Sequence, residues 1–157
     1  MTNNIRVSFV CLGNICRSPM AEVIFRRLTQ EADVKNTYTV TSRGTGDWHE
    51  GQPADPRTVA ALDRAGYDGA SHIAHQVTAT DIAENDLLVA LDRSHERELL
   101  NMGATNVVLL THYDELATSP DVLDPYHFDE DTFDEVLLQI ERSCRELLWR
   151  LEHKQGS

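Results

Sequence analysis

Hydrophobic positions along the chain fall into two patterns, short apolar runs and longer stretches in which apolar side chains recur every three or four residues. The short runs are rich in β-branched, aliphatic and aromatic residues and predict β-strands. They are IRVSFVC (5–11), TYTVTS (37–42), DLLVALD (86–92) and NVVLLT (106–111). The longer stretches have the spacing of amphipathic helices. Strands and helices are therefore expected to alternate along the chain.

Boundary residues mark the predicted helices. The first stretch favours an N-cap at Ser18, with Pro19 at the first helical position. A second helix is expected between a cap at Asp55 and a stop at Gly66. Two further helices are expected at about 94–101 and about 131–152.

This alternation predicts one domain, residues 1–157, built on a parallel sheet with helices on both faces. In such sheets, ligands bind beyond the carboxyl ends of the strands. Cys11, Ser42 and Asp92 stand at the ends of three predicted strands. A binding site is therefore expected at this edge of the sheet.

Charge is distributed unevenly along the chain, whose net charge is -12. The first 80 residues carry eight Lys or Arg against eight Asp or Glu, whereas the remaining residues carry six against eighteen. This balance argues against nucleic acid as a partner. Most carboxylates of the acidic stretch at 124–135 are interpreted as a solvated loop that leads into the last helix. Asp124 alone needs another explanation.

The composition, 41% hydrophobic and 25% charged residues, is typical of a soluble globular protein. No apolar run is long enough to span a bilayer, and the first residues lack the pattern of a signal peptide. No membrane association and a cytoplasmic location are therefore expected. Cys11, Cys16 and Cys144 are too few for a disulfide framework and are interpreted as thiols in a reducing compartment.

The stretch VCLGNICRSP joins the first strand to the first helix. A loop in this position can point successive backbone N–H groups inward, and the helix N-terminus adds partial positive charge, so the loop favours an oxyanion. Gly13 permits close backbone approach, Asn14 tolerates a left-handed conformation, and Arg17 offers a planar fork for two phosphate oxygens. Cys11 stands at the bottom of this cradle, where the same groups stabilise a nucleophilic thiolate. The residues thus predict phosphoryl transfer through a phosphocysteine, with no metal and no cofactor.

The same stretch resembles the Cys-x5-Arg-Ser signature of the low-molecular-weight protein tyrosine phosphatases. Further segments resemble that family in the right order, and the first of them is most similar to actinobacterial members: TGDWHEGQPAD (45–55), SHIAHQVT (71–78), LLVALDRSH (87–95) and DPYHFDEDTFDEV (124–136). The resemblance implies an α/β fold, a three-layer αβα sandwich with a central four-stranded parallel sheet of flavodoxin-like or Rossmann-like type. It also implies hydrolysis of phosphotyrosine in protein substrates and of small aryl phosphates.

The resemblance implies roles for individual residues. Cys11 corresponds to the nucleophile, Arg17 to the phosphate ligand, and Asp124 to the general acid that protonates the leaving phenolate and then activates water. Ser18 corresponds to a donor to the thiolate. The other matches are loop residues that bind phosphate or other oxyanions, walls of the substrate slot, and a supporting polar network: Leu12, Gly13, Asn14, Ile15 and Cys16; Trp48 and Tyr126; Ser42 and His72.

Some positions keep two interpretations. Cys16 is either a redox partner that forms a reversible disulfide with Cys11, as the resemblance implies, or a small buried residue. His72 is either a structural histidine or one that affects turnover. His127 stands where the family often has a second tyrosine, and Arg43 stands where a small residue is common. The sequence does not decide the role of Arg43.

Two alternative activities share this fold. Arsenate reductases relay electrons through further cysteines, and Cys144, predicted to face the core, leaves no evident relay pair. Protein arginine phosphatases favour threonine at the position of Ile15, where an apolar side chain suits an aromatic substrate better than a charged guanidinium. Tyrosine phosphatase activity is therefore the preferred function.

Overall fold

The sheet is the centre of the fold. The structure, a computed structural model, describes residues 4–154. Four strands pair in parallel in the order β2-β1-β3-β4: β1 (Ile5–Cys11), β2 (Tyr38–Gly44), β3 (Leu87–Ala90) and β4 (Val107–Leu109). The helices are α1 (Arg17–Glu31), α2 (Pro56–Arg64), α3 (Ala79–Glu84), α4 (Arg93–Asn101) and α5 (Glu130–Lys154). The predicted alternation and the parallel sheet are confirmed.

Each face of the sheet carries its own hydrophobic core, because successive strand residues point to opposite faces. In β1, Phe9 joins the larger core with Phe25 of α1 and Phe133 of α5. Val10 joins the smaller core on the other face, together with Leu99 of α4. The molecule is therefore a three-layer sandwich, as expected.

The first helix begins earlier than predicted. It starts at Arg17 with Cys16 at the N-cap position, so the predicted N-cap at Ser18 is wrong. The Ser18 hydroxyl lies 2.9 Å from the Cys11 sulfur instead of capping the helix. Pro19 still lies in the first turn, where a helix needs no N–H donor. The cap at Asp55 is confirmed, since its carboxylate accepts from the Arg57 backbone N–H at 2.8 Å.

Other boundaries also differ. Ser42 does not end its strand, because β2 continues to Gly44. Asp92 does not end the third strand, which stops at Ala90, but caps α4 by accepting from the backbone N–H groups of Ser94 and His95. Helix α3 was not predicted, although Thr78 and Asp81 form a capping box at its start. These corrections move Asp92 from a strand end to a helix start at the carboxyl edge of the sheet.

The last helix, α5, is the longest and covers the larger core with a buried stripe that includes Phe133, Ile140 and Leu147. It also carries acidic and basic side chains along its length, among them Glu141 and Arg145. Within residues 4–154, none of the helices is long and apolar enough to cross a membrane.

Candidate active site

Residues 12–16, here called the cradle loop, connect β1 to α1. The carbonyls of Leu12, Asn14 and Ile15 accept hydrogen bonds from neighbouring segments. Among the described residues, by contrast, none of the five loop N–H groups donates to a protein acceptor. Buried backbone N–H groups are almost always bonded, so a run of free donors marks a site for an anion.

A neighbouring segment holds the outer side of the cradle loop. Thr45 and Gly46 donate from their backbone N–H groups to the carbonyls of Cys11 and Leu12, at 2.8 and 2.9 Å. Gly44 passes so close that a Cβ there would lie 2.8 Å from the Leu12 carbonyl oxygen. A side chain at Gly44 would therefore displace the loop.

Hydrogen bonds of Asn14 hold the cradle loop in its conformation. Its φ of 56° is in the left-handed region, which costs free energy unless the surroundings enforce it. Its side-chain Nδ2 donates to Ser18 Oγ at 2.8 Å and to Ser42 Oγ at 2.9 Å. Its Oδ1 accepts from the His75 backbone N–H at 2.9 Å, and its carbonyl accepts from His72 Nε2 at 2.7 Å. The structure thus brings Ser42 and His72 together behind the loop.

Glu22 extends this network and was not predicted from the sequence. Because an amide nitrogen can only donate, Ser42 accepts from Asn14 and donates its own hydrogen to Glu22 Oε1 at 2.5 Å. His72 Nδ1 lies 4.0 Å from the same carboxylate oxygen. The only sequence signal is spacing, since Glu22 stands one helical turn after Ser18 in α1.

Cys11 lies at the floor of the cradle and is 3% exposed. Its sulfur is 2.9 Å from Ser18 Oγ. Ser18 Oγ already accepts from Asn14, so its hydrogen is available for the Cys11 sulfur or for the Arg43 carbonyl at 3.3 Å. A thiolate is a pure acceptor, and this hydroxyl and the N-terminus of α1 both stabilise it.

Arg17 is 3% exposed and is held so that one edge of its guanidinium makes no hydrogen bond to the described residues. Nη1 uses both hydrogens, donating to Asp92 Oδ2 at 2.9 Å and to the Val122 carbonyl at 2.8 Å. Nη2 lies 3.6 Å from Asp124 Oδ2. Nε and Nη2 are therefore available as a parallel pair of donors, the geometry that binds two oxygens of one phosphoryl group.

Asp92 accepts from the Arg17 guanidinium, and His95 lies next to Asp92. Neither of them was assigned a role from the sequence. Burial opposes ionisation of Asp92, but Ser94, His95 and Arg17 outweigh it and lower the pKa of the carboxyl to about 2. Burial, reinforced by the Arg17 charge, lowers the pKa of His95 to about 4. Its Nδ1 lies 3.2 Å from Asp92 Oδ1 but is not aligned for a hydrogen bond. A neutral imidazole therefore packs beside the carboxylate that positions Arg17.

A cavity of about 210 Å³ opens above the cradle. Its upper wall, here called the rim, consists of Trp48, His49, Asp124, Tyr126 and His127. The lower wall is formed by Cys11, Leu12, Gly13, Ile15, Cys16 and Arg17. The predicted slot residues thus line one cavity with the predicted nucleophile. The sequence interpretation missed His49 and treated His127 only as a departure from the family.

Local contacts set the geometry of the rim. Asp124 Oδ1 accepts from the Tyr126 backbone N–H at 3.1 Å, which caps the 3₁₀ turn at 125–127. The Arg57 guanidinium lies 5.3 Å from the centroid of the Tyr126 ring and is itself held by Asp55. A Cβ at Gly46 would lie 1.9 Å from the Trp48 ring, so only glycine permits this position of the indole.

The other cysteines lie in different surroundings. Cys16 lines the cavity but is only 5% exposed, and burial, against a smaller opposing effect of the Thr58 hydroxyl, raises its pKa to about 12. Cys144 is fully buried in α5, with its sulfur 3.9 Å from the Ala21 carbonyl, and burial raises its pKa as well. All three cysteines are free thiols.

Arg43 does not reach the cavity above the cradle. Its Nε donates to Asp81 Oδ2 at 3.2 Å and its Nη1 to the Ser42 carbonyl at 2.7 Å. These contacts turn the side chain toward a second cavity beside the cradle. Arg43 therefore adds no donor to the phosphate cradle itself.

Known proteins are similar to this chain in both sequence and fold. The family model for low molecular weight phosphotyrosine protein phosphatase matches residues 6–156. A low molecular weight protein-tyrosine-phosphatase from Streptomyces coelicolor is 44% identical over 150 residues, which covers 91% of each chain. A protein tyrosine phosphatase from Entamoeba histolytica superposes with a TM-score of 0.91 at 31% identity, over 97% of this chain and 99% of that one. A Drosophila arginine phosphatase superposes with a TM-score of 0.88 at 29% identity, over 94% and 98%. The chain therefore belongs to the low molecular weight phosphotyrosine protein phosphatase family.

Proposed function

We propose that this enzyme hydrolyses phosphotyrosine in proteins, and small aryl phosphates, through a phosphocysteine on Cys11. The observation that carries the proposal is the run of five backbone N–H groups, in the loop that follows the buried Cys11 sulfur, that donate to no acceptor within residues 4–154. These donors and the free edge of Arg17 match the oxygens of a phosphoryl group. The bound phosphorus then lies in line with the sulfur below it.

In the first step, the Cys11 thiolate attacks phosphorus and the bond from phosphorus to the phenolic oxygen breaks. A phenolate is a poor leaving group, so a positioned acid speeds its departure. Asp124 lines the same cavity and lies 3.6 Å from Arg17, on the side where the leaving oxygen would emerge. Protonated Asp124 transfers its proton to that oxygen, and the free phenol departs.

In the second step, a water molecule attacks the phosphocysteine. Asp124, now ionised, takes a proton from the water, the sulfur–phosphorus bond breaks, and inorganic phosphate and the Cys11 thiolate are released. Ser18 donates to the returning thiolate, which makes it a better leaving group. The reaction therefore consumes one water molecule and needs no other reactant.

The cavity walls favour an aromatic phosphate ester. Trp48 and Tyr126 offer aromatic faces at the rim, and Ile15 makes the lower wall apolar. A phosphoserine side chain is too short to fill such a slot, and the guanidinium of phosphoarginine would lose hydration against the apolar Ile15. Proteins that carry phosphotyrosine are therefore the proposed partners.

We propose a single catalytic domain over residues 1–157, because one sheet carries both cores. We also propose a cytoplasmic location, which the three free thiols support.

In the reduced enzyme, Cys16 acts as a buried wall of the cavity, because a thiol with a pKa of about 12 is a slow nucleophile at neutral pH.

The experiment is to trap the intermediate. Acid-quenched turnover of a phosphotyrosine peptide should leave one phosphoryl group on the peptide that contains Cys11, as read by mass spectrometry. Cys11→Ser should bind the peptide without turning it over, whereas Cys144→Ala, which removes a thiol far from the cavity, should keep turnover. Turnover by Cys11→Ser, or an adduct on another residue, would contradict the mechanism. Phosphoserine and phosphoarginine peptides, run in parallel, test the substrate class.

A further inference from the structure

A second cavity, here called the side cavity, lies beside the cradle and measures about 410 Å³. Its walls come from α1, the end of β2 and the segment between α2 and α3. Glu22, Ser42 and His72 belong both to these walls and to the network that braces Asn14. The side cavity is therefore separate from the substrate cavity but shares supporting residues with the cradle.

Three guanidinium groups line the side cavity and keep spare donors. Arg26 uses Nη2, which donates at 2.6 Å to Glu22 and to the Val40 carbonyl. Arg43 uses Nε and Nη1, and Arg27 uses Nη2, which donates to the Gly66 carbonyl at 2.9 Å. Within residues 4–154, their remaining N–H groups donate to no protein acceptor. Each arginine is thus oriented while part of its fork stays free.

Each carboxylate of the same walls accepts at least one hydrogen bond. Glu22 accepts from Ser42 through Oε1 and from Arg26 through Oε2. Asp68 accepts from the Ala70 backbone N–H at 3.0 Å within its own turn. No carboxylate of the described residues lies within ion-pair distance of Arg27, whose guanidinium rests 5.2 Å from the centroid of the Tyr67 ring. Among the described residues, Arg27 therefore forms no ion pair at the wall of the cavity.

We propose that the side cavity binds a small phosphorylated molecule, with its phosphoryl oxygens on the spare N–H groups of Arg27 and Arg43. Guanidinium forks bind phosphoryl groups through paired hydrogen bonds. The volume lies in the range of about 300 to 1,000 Å³ that is usual for ligand pockets and exceeds what a bare phosphate fills. The ligand sits behind Ser42 and Glu22, not on Cys11, so this site is additional to the proposed catalytic one.

Occupancy of the side cavity is coupled to the cradle. A ligand held by Arg43 acts on Ser42, whose carbonyl accepts from Arg43 Nη1 and whose hydroxyl accepts from Asn14. Coupling between two sites is reciprocal, so each ligand changes the affinity of the other by the same factor.

The test uses wild-type enzyme saturated with orthovanadate, which occupies the cradle. Isothermal titration with inorganic phosphate and with ribose 5-phosphate, at constant ionic strength, should show one further equivalent, with ribose 5-phosphate the tighter ligand. Arg27→Gln with Arg43→Gln should weaken that binding at least about tenfold, because two charged forks are lost. The matched control is Arg64→Gln with Arg93→Gln, two exposed arginines paired with Asp134 and Asp121 outside the cavity, and it should bind as wild type does.

Arg27→Gln alone, which leaves the contacts of Arg43 intact, should give an intermediate loss of affinity for the probe. This single variant keeps the test valid if the double variant does not fold. Absence of a second equivalent with both probes, or equal affinity in the wild type and the double variant, would overturn the inference. Failure of vanadate to bind would instead count against the proposed catalytic function. The two proposals therefore fail in different measurements.

Discussion

The cradle and the rim are built in opposite ways. In the cradle, Cys11, Asn14 and Arg17 are between 1 and 3% exposed, and the side-chain polar groups of Asn14 all have partners. In the rim, Trp48 is 66% exposed and the Asp124 side chain 42% exposed. The phosphoryl group is common to every substrate, so its site is pre-organised. The surrounding protein differs between substrates, so the part that meets it stays accessible.

This difference has an energetic consequence. The left-handed Asn14 and the loop N–H groups without a protein partner among the described residues cost free energy, which the hydrogen bonds of Asn14 with Ser42, His72 and His75 offset. Changes in the cradle should therefore lower both turnover and the free energy of unfolding. Changes in the rim should affect turnover or binding and leave stability nearly unchanged.

Arg17→Lys should produce the largest effect. An ammonium group cannot bind Asp92 and Val122 while presenting two parallel donors to phosphate, so kcat should fall by about 10³. The melting temperature should also fall, because Asp92 loses a buried partner. Steady-state kinetics with p-nitrophenyl phosphate and thermal unfolding measure the two effects. The control is Arg64→Lys at an exposed pair with Asp134, and a near-normal kcat in Arg17→Lys would contradict pre-organisation of the cradle.

Protonation of His95 should lower the free energy of unfolding at acid pH. Burial holds the pKa of the folded-state imidazole near 4, below the 6.5 expected in the unfolded chain. Between these values, only the unfolded chain binds the proton, so stability falls as pH drops from 6.5 toward 4, by up to about 3 kcal/mol. Urea unfolding at several pH values should show this loss in the wild type.

Other groups titrate in the same range, so the decisive quantity is a difference between variants. His95→Asn should flatten the curve between pH 6.5 and 4, while His153→Asn, at an exposed site on α5, should leave it unchanged. Parallel curves for the wild type and His95→Asn would show that the imidazole is not buried neutral behind Arg17.

Sequence patterns predicted what depends on neighbours along the chain. Short apolar runs placed the four strands and period-three-to-four spacing placed most helices, and the cap at Asp55 needs only the residues that follow it. The predicted N-cap at Ser18 was wrong because its hydroxyl is drawn to Cys11 and Asn14 instead of the helix backbone. Short-range capping preferences cannot anticipate that competition.

The parts of the site that escaped sequence reasoning join distant segments. Asp92 lies 75 positions after Arg17, and an acidic residue before a helix already has an ordinary explanation as a cap. His95 reaches this cluster only through that helix. Glu22 lies outside the segments that carry the resemblance, and His75 lies within SHIAHQVT but was assigned no role. Unlike Ser42 and His72, these members of the network therefore become visible only in three dimensions.

Asp124→Asn should separate chemistry from stability. Loss of the acid should slow phenyl phosphate, whose leaving group needs a proton, by about 10². A nitrophenolate leaves with less assistance, so p-nitrophenyl phosphate should be slowed much less. The melting temperature should stay close to that of the wild type, because the side chain is 42% exposed. Equal losses with both esters would remove Asp124 from the acid role.

Trp48→Ala should have the smallest effect and the most selective one. In the proposed complex the indole meets the substrate ring and not the phosphoryl group, so KM for a phosphotyrosine peptide should rise by about tenfold while kcat stays the same. Trp149→Ala removes an indole of similar exposure, 56%, from the surface of α5 and should change neither constant. A fall in kcat or in the melting temperature of Trp48→Ala would mean that the indole braces the cradle, and the rim would then not be the independent, adaptable part of the site.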